Sequence, residues 1–588
     1  MKKINLPLVI LLLFIFKTIY SQTPQVQFAK HIESTHNQGV WCRANATDNS
    51  GNLYVAGFFH GTADFDLSTT VATTLTYQGG NFNDNNGESD IYLAKYNNNG
   101  ELIWVRTLID PSFSGLNEER PTAICLDNNN NIYLTGFTMT KGFFVAKWND
   151  AGALQWTKYF NDTETNNVTT YTIKFSNNSI LISGLFNLTV DFDPSDNQSN
   201  PLTAFNNDGF LLSLSDTGNF QWVKQFQTNG AVLLTGLETD TNNNIFVSGR
   251  FVGDVDVNPA SAQTIISSLS NSFGAFSSCF VAKYTNLGNL VWYKHLQGNS
   301  TTDYLYSTIK KDSNNNIVFA SSFKGEVSFL PTTTTLNTNM YSSCLAKFTD
   351  GGNLLWANLV ATPDNSVFFG PLSTIYSLKI DSCNRIIVAG EFQGNCNFGN
   401  TSNPAYLTTE TNNTDVFIAM YDSSGLYNWA MPIAGLGDPT FVEDNGHLPI
   451  SIDNNYNIFI SGSFRNTMDF DPSAGVLNIT SNSITSGIAG TFIAKYSNPI
   501  ACNLGIESNN KKAMIIYPNP ASEYFMIQNE TSLSGISINI IDVSGKIVIS
   551  KDNIKSDEII IISDLNKGIY FVNITSDNFS KTEKLIIN

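Results

Sequence analysis

Acidic residues one position apart recur along this chain: "ADFDLST" from Ala63, "VDFDPSD" from Val190, "DVDVNP" from Asp254 and "MDFDPSA" from Met468. The pairs are Asp64 and Asp66, Asp191 and Asp193, Asp254 and Asp256, and Asp469 and Asp471. Spacing of i and i+2 places both carboxylates on one side of an extended backbone. A Ca²⁺ ion takes about six to eight oxygens, so carbonyls from neighbouring loops would have to complete a calcium site. The competing account is that each Asp accepts backbone N–H bonds and closes a turn, with Pro194 or Pro472 fixing the exit. Catalysis fits least: a glycosidase pair needs two carboxyls in distinct environments, and a motif copied along the chain singles out none. Calcium is the one cofactor these acids would take, and no catalytic residue is assigned.

Other chemistry is sparse. His31, His36, His60, His295 and His447 form no metal-binding spacing, and G-x-S-x-G, P-loop and Cys-x-x-Cys motifs do not occur. His60 alone stands beside an acidic stretch. Asp-Asn turns such as "DNNNNI" from Asp127 resemble calcium loops in their alternate oxygens, but a Tyr or Phe follows where a closing acid would stand, so hairpin turns explain them better.

The elements that position the acids are repeats. A polar turn followed by an apolar strand recurs seven times, from "DNSGNLYVAG" at Asp48 to "DNNYNIFISG" at Asp453. Each copy has a partner of the form F-x-A-K-Y, turn, apolar-x-Trp, as in "IYLAKYNNNGELIWV". Alternating apolar residues between Asn- and Gly-bearing turns are hairpin signals. Each unit reads as four strands, and the repeats predict an all-β, seven-bladed β-propeller over residues 24–500. The seventh unit ends at "FIAKYSNP" without its Trp strand, while "VQFAKHI" at Val26 looks like a spare one with Phe28 in the Trp place. The first strand therefore completes the last blade, and no sheet edge stays open.

The acidic stretches fall in the second inter-strand connection, on the face that also carries long insertions such as Leu67–Ser89. Any functional face is expected there. The Trp series (Trp104, Trp156, Trp222, Trp292, Trp356, Trp429) occurs once per unit among apolar neighbours, which favours packing between blades over a sugar platform.

These repeats resemble a family of secreted bacterial β-propeller proteins with "GNxYVTG" and "FVAKL" strands, a resemblance that implies the fold and no particular activity. The turn before each Trp, as in "SDTGNFQW", approaches the Asp-box of sialidase-like propellers, yet no sialidase arginine triad carries over, since Arg43, Arg106, Arg120, Arg250, Arg385 and Arg465 show no repeat pattern.

After Pro499 the composition changes. A linker at 501–512 precedes a predicted small β-sandwich at 513–588. Pro518, Asn519 and Pro520 in "YPNP", Asp542, Gly545 and Lys546 in "DVSGK", Gly568 and Tyr570 in "LNKGIY", and Lys584 near the end appear in order. This tail closely resembles the type A C-terminal sorting domain of the type IX secretion system of Bacteroidetes. The resemblance implies recognition by the type IX machinery, with cargo released or attached to surface lipopolysaccharide once the tail is cut.

Residues 1–21 have the form of a secretory signal peptide: Lys2 and Lys3, an apolar run from Leu6 to Phe16, then "KTIYS". That run is too short to span a bilayer, and no later segment is apolar for long enough. Losing three lysines and no acids takes the formal charge from -18 to -21, which argues against nucleic acid as a partner. Export through the periplasm to the cell surface or outside permits disulfides, and Cys383 with Cys396 is the best-placed pair, set against buried free thiols. Two function classes remain: a surface or secreted module binding glycan or protein, and a secreted polysaccharide hydrolase or lyase.

Overall fold

The computed structural model describes residues 23–35, 39–68, 72–77, 89–108, 119–138, 141–160, 167–195, 197–259, 263–269, 278–364, 372–409, 414–435, 448–481, 490–498, 514–529, 536–555, 558–576 and 579–588. The expected signal peptide and the linker at 501–512 lie outside them. The chain divides into two compact units, Met1–Ala501 and Cys502–Asn588, and the described residues of both form small antiparallel sheets.

In the first unit the sheets are up-and-down meanders. Val40–Thr47, Leu53–Phe59, Asp90–Tyr96 and Leu102–Leu108 pair in sequence order. The pattern repeats from Glu119–Leu126 to Leu154–Phe160, from Val168–Ser176 to Phe220–Phe226, and onward along the unit. Leu53–Phe59 and Asp90–Tyr96 are buried at every residue. Covered on both faces, such middle strands carry continuous apolar runs instead of alternation.

The last meander is completed by the start of the chain. Gln25–Ser34 pairs antiparallel with Gly490–Ser497, Ala29 opposite Ala494. The innermost strands Val40–Thr47, Glu119–Leu126, Val168–Ser176, Ala231–Thr239, Asp303–Lys311, Ser373–Ile380 and Ile450–Ile452 each pack against the next, and the last packs against the first. At that junction Asn45 Nδ2 donates to the Pro449 carbonyl (2.7 Å) and Ser461 Oγ (2.8 Å).

The repeated Lys and Trp hold neighbouring meanders together. Lys95 Nζ donates to Asp150 of the following meander (2.5 Å), and Trp104 Nε1 to the Asp150 carbonyl (3.1 Å). Lys283 bridges Asp240 of its own turn (3.0 Å) and Asp350 of the next (2.5 Å), where Trp292 also donates (2.9 Å). Lys347 repeats the bridge between Asp312 (2.9 Å) and the Ser423 carbonyl (3.0 Å). The Asp of each turn is itself pinned: Asp48 Oδ1 accepts from the backbone N–H of Ser50 and Asn52, both at 2.9 Å. These are Asx turns. Glycine is required where Trp arrives: a Cβ on Gly152, at φ +77°, would stand 2.8 Å from the Trp104 ring.

One cysteine expectation is corrected. Cys396 is a free, fully buried thiol in the core beside Phe392 and Phe398, whereas Cys383 is disulfide-bonded to another partner. Cys396 faces inward from the strand Asn395–Asn397, so it cannot meet the turn at Asp381 that carries Cys383.

In the second unit, Met514–Tyr517, Tyr524–Asn529 and Ile559–Ile561 form one sheet, and Ile547–Ile554, Ile536–Asp542, Gly568–Ser576 and Phe579–Ile587 form another. Phe525, Ile538, Ile540, Val572 and Leu585 lie in their shared core.

Candidate functional site

The acidic stretches form small ribbons after the second strand of a meander, such as Thr62–Asp64 with Thr74–Thr76. In each ribbon one side-chain oxygen accepts two backbone N–H bonds across the loop. Asp64 Oδ1 takes Asp66 (3.1 Å) and Thr73 (2.9 Å), Asp191 Oδ1 takes Asp193 (3.0 Å) and Asn200 (2.8 Å), and Asp469 Oδ1 takes Asp471 (3.0 Å) and Leu477 (2.8 Å). Burial opposes ionisation of Asp191, but bonds from Ser199 and the Asn200 and Asp193 amides hold its carboxyl below the usual value. The second acids accept locally, Asp66 from Ser68, Asp193 from Ser195 and Asp471 from Ser473.

Two details shift the register read from sequence. Asp256, which accepts from Asn258 and Thr264 (both 2.9 Å), is the counterpart of Asp64, while Asp254 stands two places earlier and accepts from Asn229 Nδ2 (2.9 Å). In the corresponding ribbon further on, a neutral amide does the same work: Asn397 Oδ1 accepts from Gly399 (3.0 Å) and Ala405 (2.9 Å). The residue after each closing side chain is buried, and in four ribbons its carbonyl takes the hydroxyl of the tyrosine at the end of the third strand: Tyr96 to Phe65 (3.1 Å), Tyr284 to Val257 (2.8 Å), Tyr421 to Phe398 (3.1 Å) and Tyr496 to Phe470 (3.0 Å).

Asp64 and Asp66 differ from the other pairs in their surroundings. They line an open cleft of about 420 Å³ with Lys30, His31 and Glu33 of the closing strand and Asn478 and Thr480 of the last ribbon. His31 Nε2 lies 2.5 Å from Glu33 Oε1, and Glu33 pairs with Asp64 across the strands. His60, the histidine that sequence placed nearest, is buried edge-on against Phe58. His31 arrives only through ring closure, so its distance in sequence hid it. Among the described residues no group of three or more His, Cys, Asp or Glu side chains is placed to hold a metal ion.

A second charged cluster sits on the innermost strands. Glu238 accepts from Lys174 (2.7 Å) and Lys310 (2.6 Å); burial opposes its ionisation, but the two lysines bring it down to about 2. Burial and the charge of Lys310 bring Lys379 down to about 7. All four stand two residues before a repeat turn, a signal present in the sequence but masked by the changing residue type.

In the tail, Asn519 braces the final strand. Its Nδ2 donates to the Lys584 carbonyl (2.6 Å) and its Oδ1 accepts from Ile586 (2.9 Å). Asp542 caps the turn through Gly545 by accepting from the Ser544 and Lys546 amides, and Tyr570 donates to the Asn566 carbonyl (2.9 Å). Pro518 and Pro520 flank Asn519 in the bend before Tyr524–Asn529, and Gly568 begins the strand that carries Tyr570.

Residues 515–588 match the secretion system C-terminal sorting domain. The chain is 24% identical over 379 residues to an uncharacterized WD repeat-containing protein of Acanthamoeba polyphaga mimivirus, covering 55% of this chain and 27% of that protein. It thus spans about a quarter of that curated relative's length. Solved structures with similarity include a protein of unknown function from Dyadobacter fermentans (10% identity, 80% of this chain and 98% of that one, TM-score 0.34) and Saccharomyces cerevisiae Sqt1 (9% identity, 86% and 96%, TM-score 0.34). The chain therefore joins a propeller-like, WD-repeat-like region to a type IX sorting domain that directs it to the cell surface or outside. Among the described residues no helix is long and apolar enough to cross a membrane.

Proposed function

We propose that the propeller-like region is a seven-bladed β-propeller over 24–500 that binds extracellular glycan or protein, with 1–21 a signal peptide, 501–512 a linker and 513–588 the sorting domain. The unbroken succession of innermost strands, returning from Ile450–Ile452 to Val40–Thr47, supports the blade count. The cleft at His31, Glu33, Asp64 and Asp66 carries the binding reading, because closure of the ring gathers there a set of polar groups found at one junction. At each acidic ribbon, the cleft's included, the closing acid spends one oxygen on backbone amides, as structural turn closers do, and Asn397 fills that role without charge, so His31 and Glu33 are what set the cleft apart. Type IX export supports an extracellular glycan or protein as the partner, with release or lipopolysaccharide attachment following removal of the tail.

The alternative is a polysaccharide hydrolase or lyase using the same cleft, where His31 and Glu33 stand within a hydrogen bond of each other. Glycan-array binding and a polysaccharide-degradation screen on the purified protein separate the two. Binding that falls in Asp64→Ala and His31→Ala without product formation supports the module; product formation lost in the same variants supports the enzyme.

A further inference from the structure

The third meander lacks the lysine and tryptophan lock that holds four of its sisters. Opposite four of the repeat tryptophans stands the A-K-Y lysine: Lys95 faces Trp104, Lys147 faces Trp156, Lys283 faces Trp292 and Lys347 faces Trp356, while the long side chain of Met420 faces Trp429. Ser213 holds that place opposite Trp222. On the neighbouring strand Leu181, like Val318 and Ile387 in later meanders, stands where Tyr54, Tyr133 and Phe246 pack beside Trp, but only Leu181 is combined with a residue as short as serine opposite the Trp. The Asp-capped turn is also missing, since Ser176 and Ser179 close a tight hairpin through Asn177 and Asn178 at positive φ.

These losses remove side-chain volume from one place. A pocket of about 420 Å³ opens there, with Trp222 and Leu287 as apolar walls and Ser176, Ser213, Gln221 and Asn243 as polar lining. Gln221 Oε1 is held by Ser213 Oγ (2.7 Å) and Ser179 Oγ (3.0 Å), which fixes the amide. Trp222 is also less clamped than its sisters. The atoms nearest a Cβ on Gly288 belong to the Lys224 stem, whereas Gly152, Gly218, Gly352 and Gly425 each meet a Trp ring.

We propose that this pocket binds a neutral sugar residue, one face of its ring stacked on Trp222 and its hydroxyls bonded to Gln221, Asn243 and the serines. An aromatic wall beside a small set of fixed amide and hydroxyl groups matches a pyranose, which has apolar C–H faces and a polar edge. Among the described residues no charged side chain lines the pocket, so an uncharged ligand is favoured over a uronate or sulfate. This names a ligand class for the binding reading and stands at a different site from the His31 cleft.

The test uses the full mature chain and isothermal titration with cellohexaose, maltohexaose and a polygalacturonate oligomer. At least one neutral oligosaccharide is expected to bind and the acidic one not. Trp222→Ala should weaken binding by roughly tenfold or more, the scale of one stacked aromatic contact. Ser213→Lys places the lysine of the sister repeats there, fills the pocket and should abolish binding; circular dichroism checks that the sheets are kept, since the turn at Ser176 has no Asp to pair the ammonium and some loss of melting temperature is expected. Absence of neutral-sugar binding, or undiminished affinity in Ser213→Lys, overturns the proposal. Sugar binding that survives Ser213→Lys but falls in Asp64→Ala also overturns it and leaves the cleft reading standing.

Discussion

The ring of Phe28 lies against Gly100 as the ring of Trp104 lies against Gly152. A Cβ on either glycine would stand 2.8 Å from the facing aromatic carbons. Phe28 is twenty-odd residues from the start of the chain, yet it performs for the last meander what Trp104, Trp156, Trp292 and Trp356 perform for theirs. Lys495 completes the same junction by donating to the Asn98 carbonyl (3.0 Å), as Lys95 reaches Asp150.

Deleting residues 24–33 should therefore destabilise the whole first unit, since it strips the outer strand from the last meander and uncovers Gly490–Ser497. Phe28→Ala, which leaves the strand in place, should cost about 2 kcal/mol, the worth of burying one large apolar side chain. Chemical denaturation monitored by tryptophan fluorescence reads both. A deletion variant with unchanged stability would refute closure by this strand.

Asp191→Asn should be nearly neutral at pH 7, because Asn397 closes its ribbon as an amide. Asp191→Ala leaves the amides of Asp193 and Asn200 without their acceptor and should cost about 1–3 kcal/mol. The carboxyl is held below its ordinary value in the fold, so its contribution is present above the unfolded value and is lost as pH falls through the folded one. Thermal melts below about pH 4 should then fall less in Asp191→Asn than in the parent. EDTA should leave the melting temperature unchanged; a fall reversed by calcium would instead return the acids to a metal role.

Much of this was legible in the residues. Turn signals at Asp48, Asp127, Asp240, Asp312, Asp381 and Asp453 mark hairpins that the structure forms, and the spare strand at Val26 pairs where the last repeat lacks one. Side-chain pairing across long separations was not legible. His31 meets Asp64 only because the ring closes, and Lys174, Glu238 and Lys310 meet because innermost strands of successive meanders pack together. The offset between Asp64 and Asp256 was hidden because alternating acids read the same when shifted by two, and only the bonds to Thr73 and Thr264 fix the register.

Lys379 should give stability a pH dependence of known sign. Lys310 on the packed strand, then Glu238 and Lys174, are the charges that act on it, while Glu391 on the paired strand accepts from Tyr376 (3.3 Å). Its folded value near 7 lies below the ordinary 10.5, so the unfolded chain holds more protons between them and stability rises with pH across that window. Lys379→Met removes the effect. The variant should melt above the parent near neutral pH, and the gap should close toward about pH 10; a constant gap would show that Lys379 does not titrate there.

The sorting domain should fold and fail separately from the propeller-like unit, because each has its own core. Asn519 is the point to test. It accepts from Ile586 and donates to the Lys584 carbonyl, so it holds the final strand against the bend that precedes Tyr524–Asn529. Asn519→Ala should cost the tail about 1 kcal/mol by removing two exposed hydrogen bonds to the final strand, with the main melting transition of the first unit unchanged. In cells the variant should reach the surface in reduced amounts and accumulate in the periplasm, while residues 511–588 fused behind a signal peptide and a reporter should carry the reporter outside. Surface immunodetection and periplasmic fractionation measure both. Normal surface amounts from a chain cut near residue 505 would overturn the role of the tail as the address.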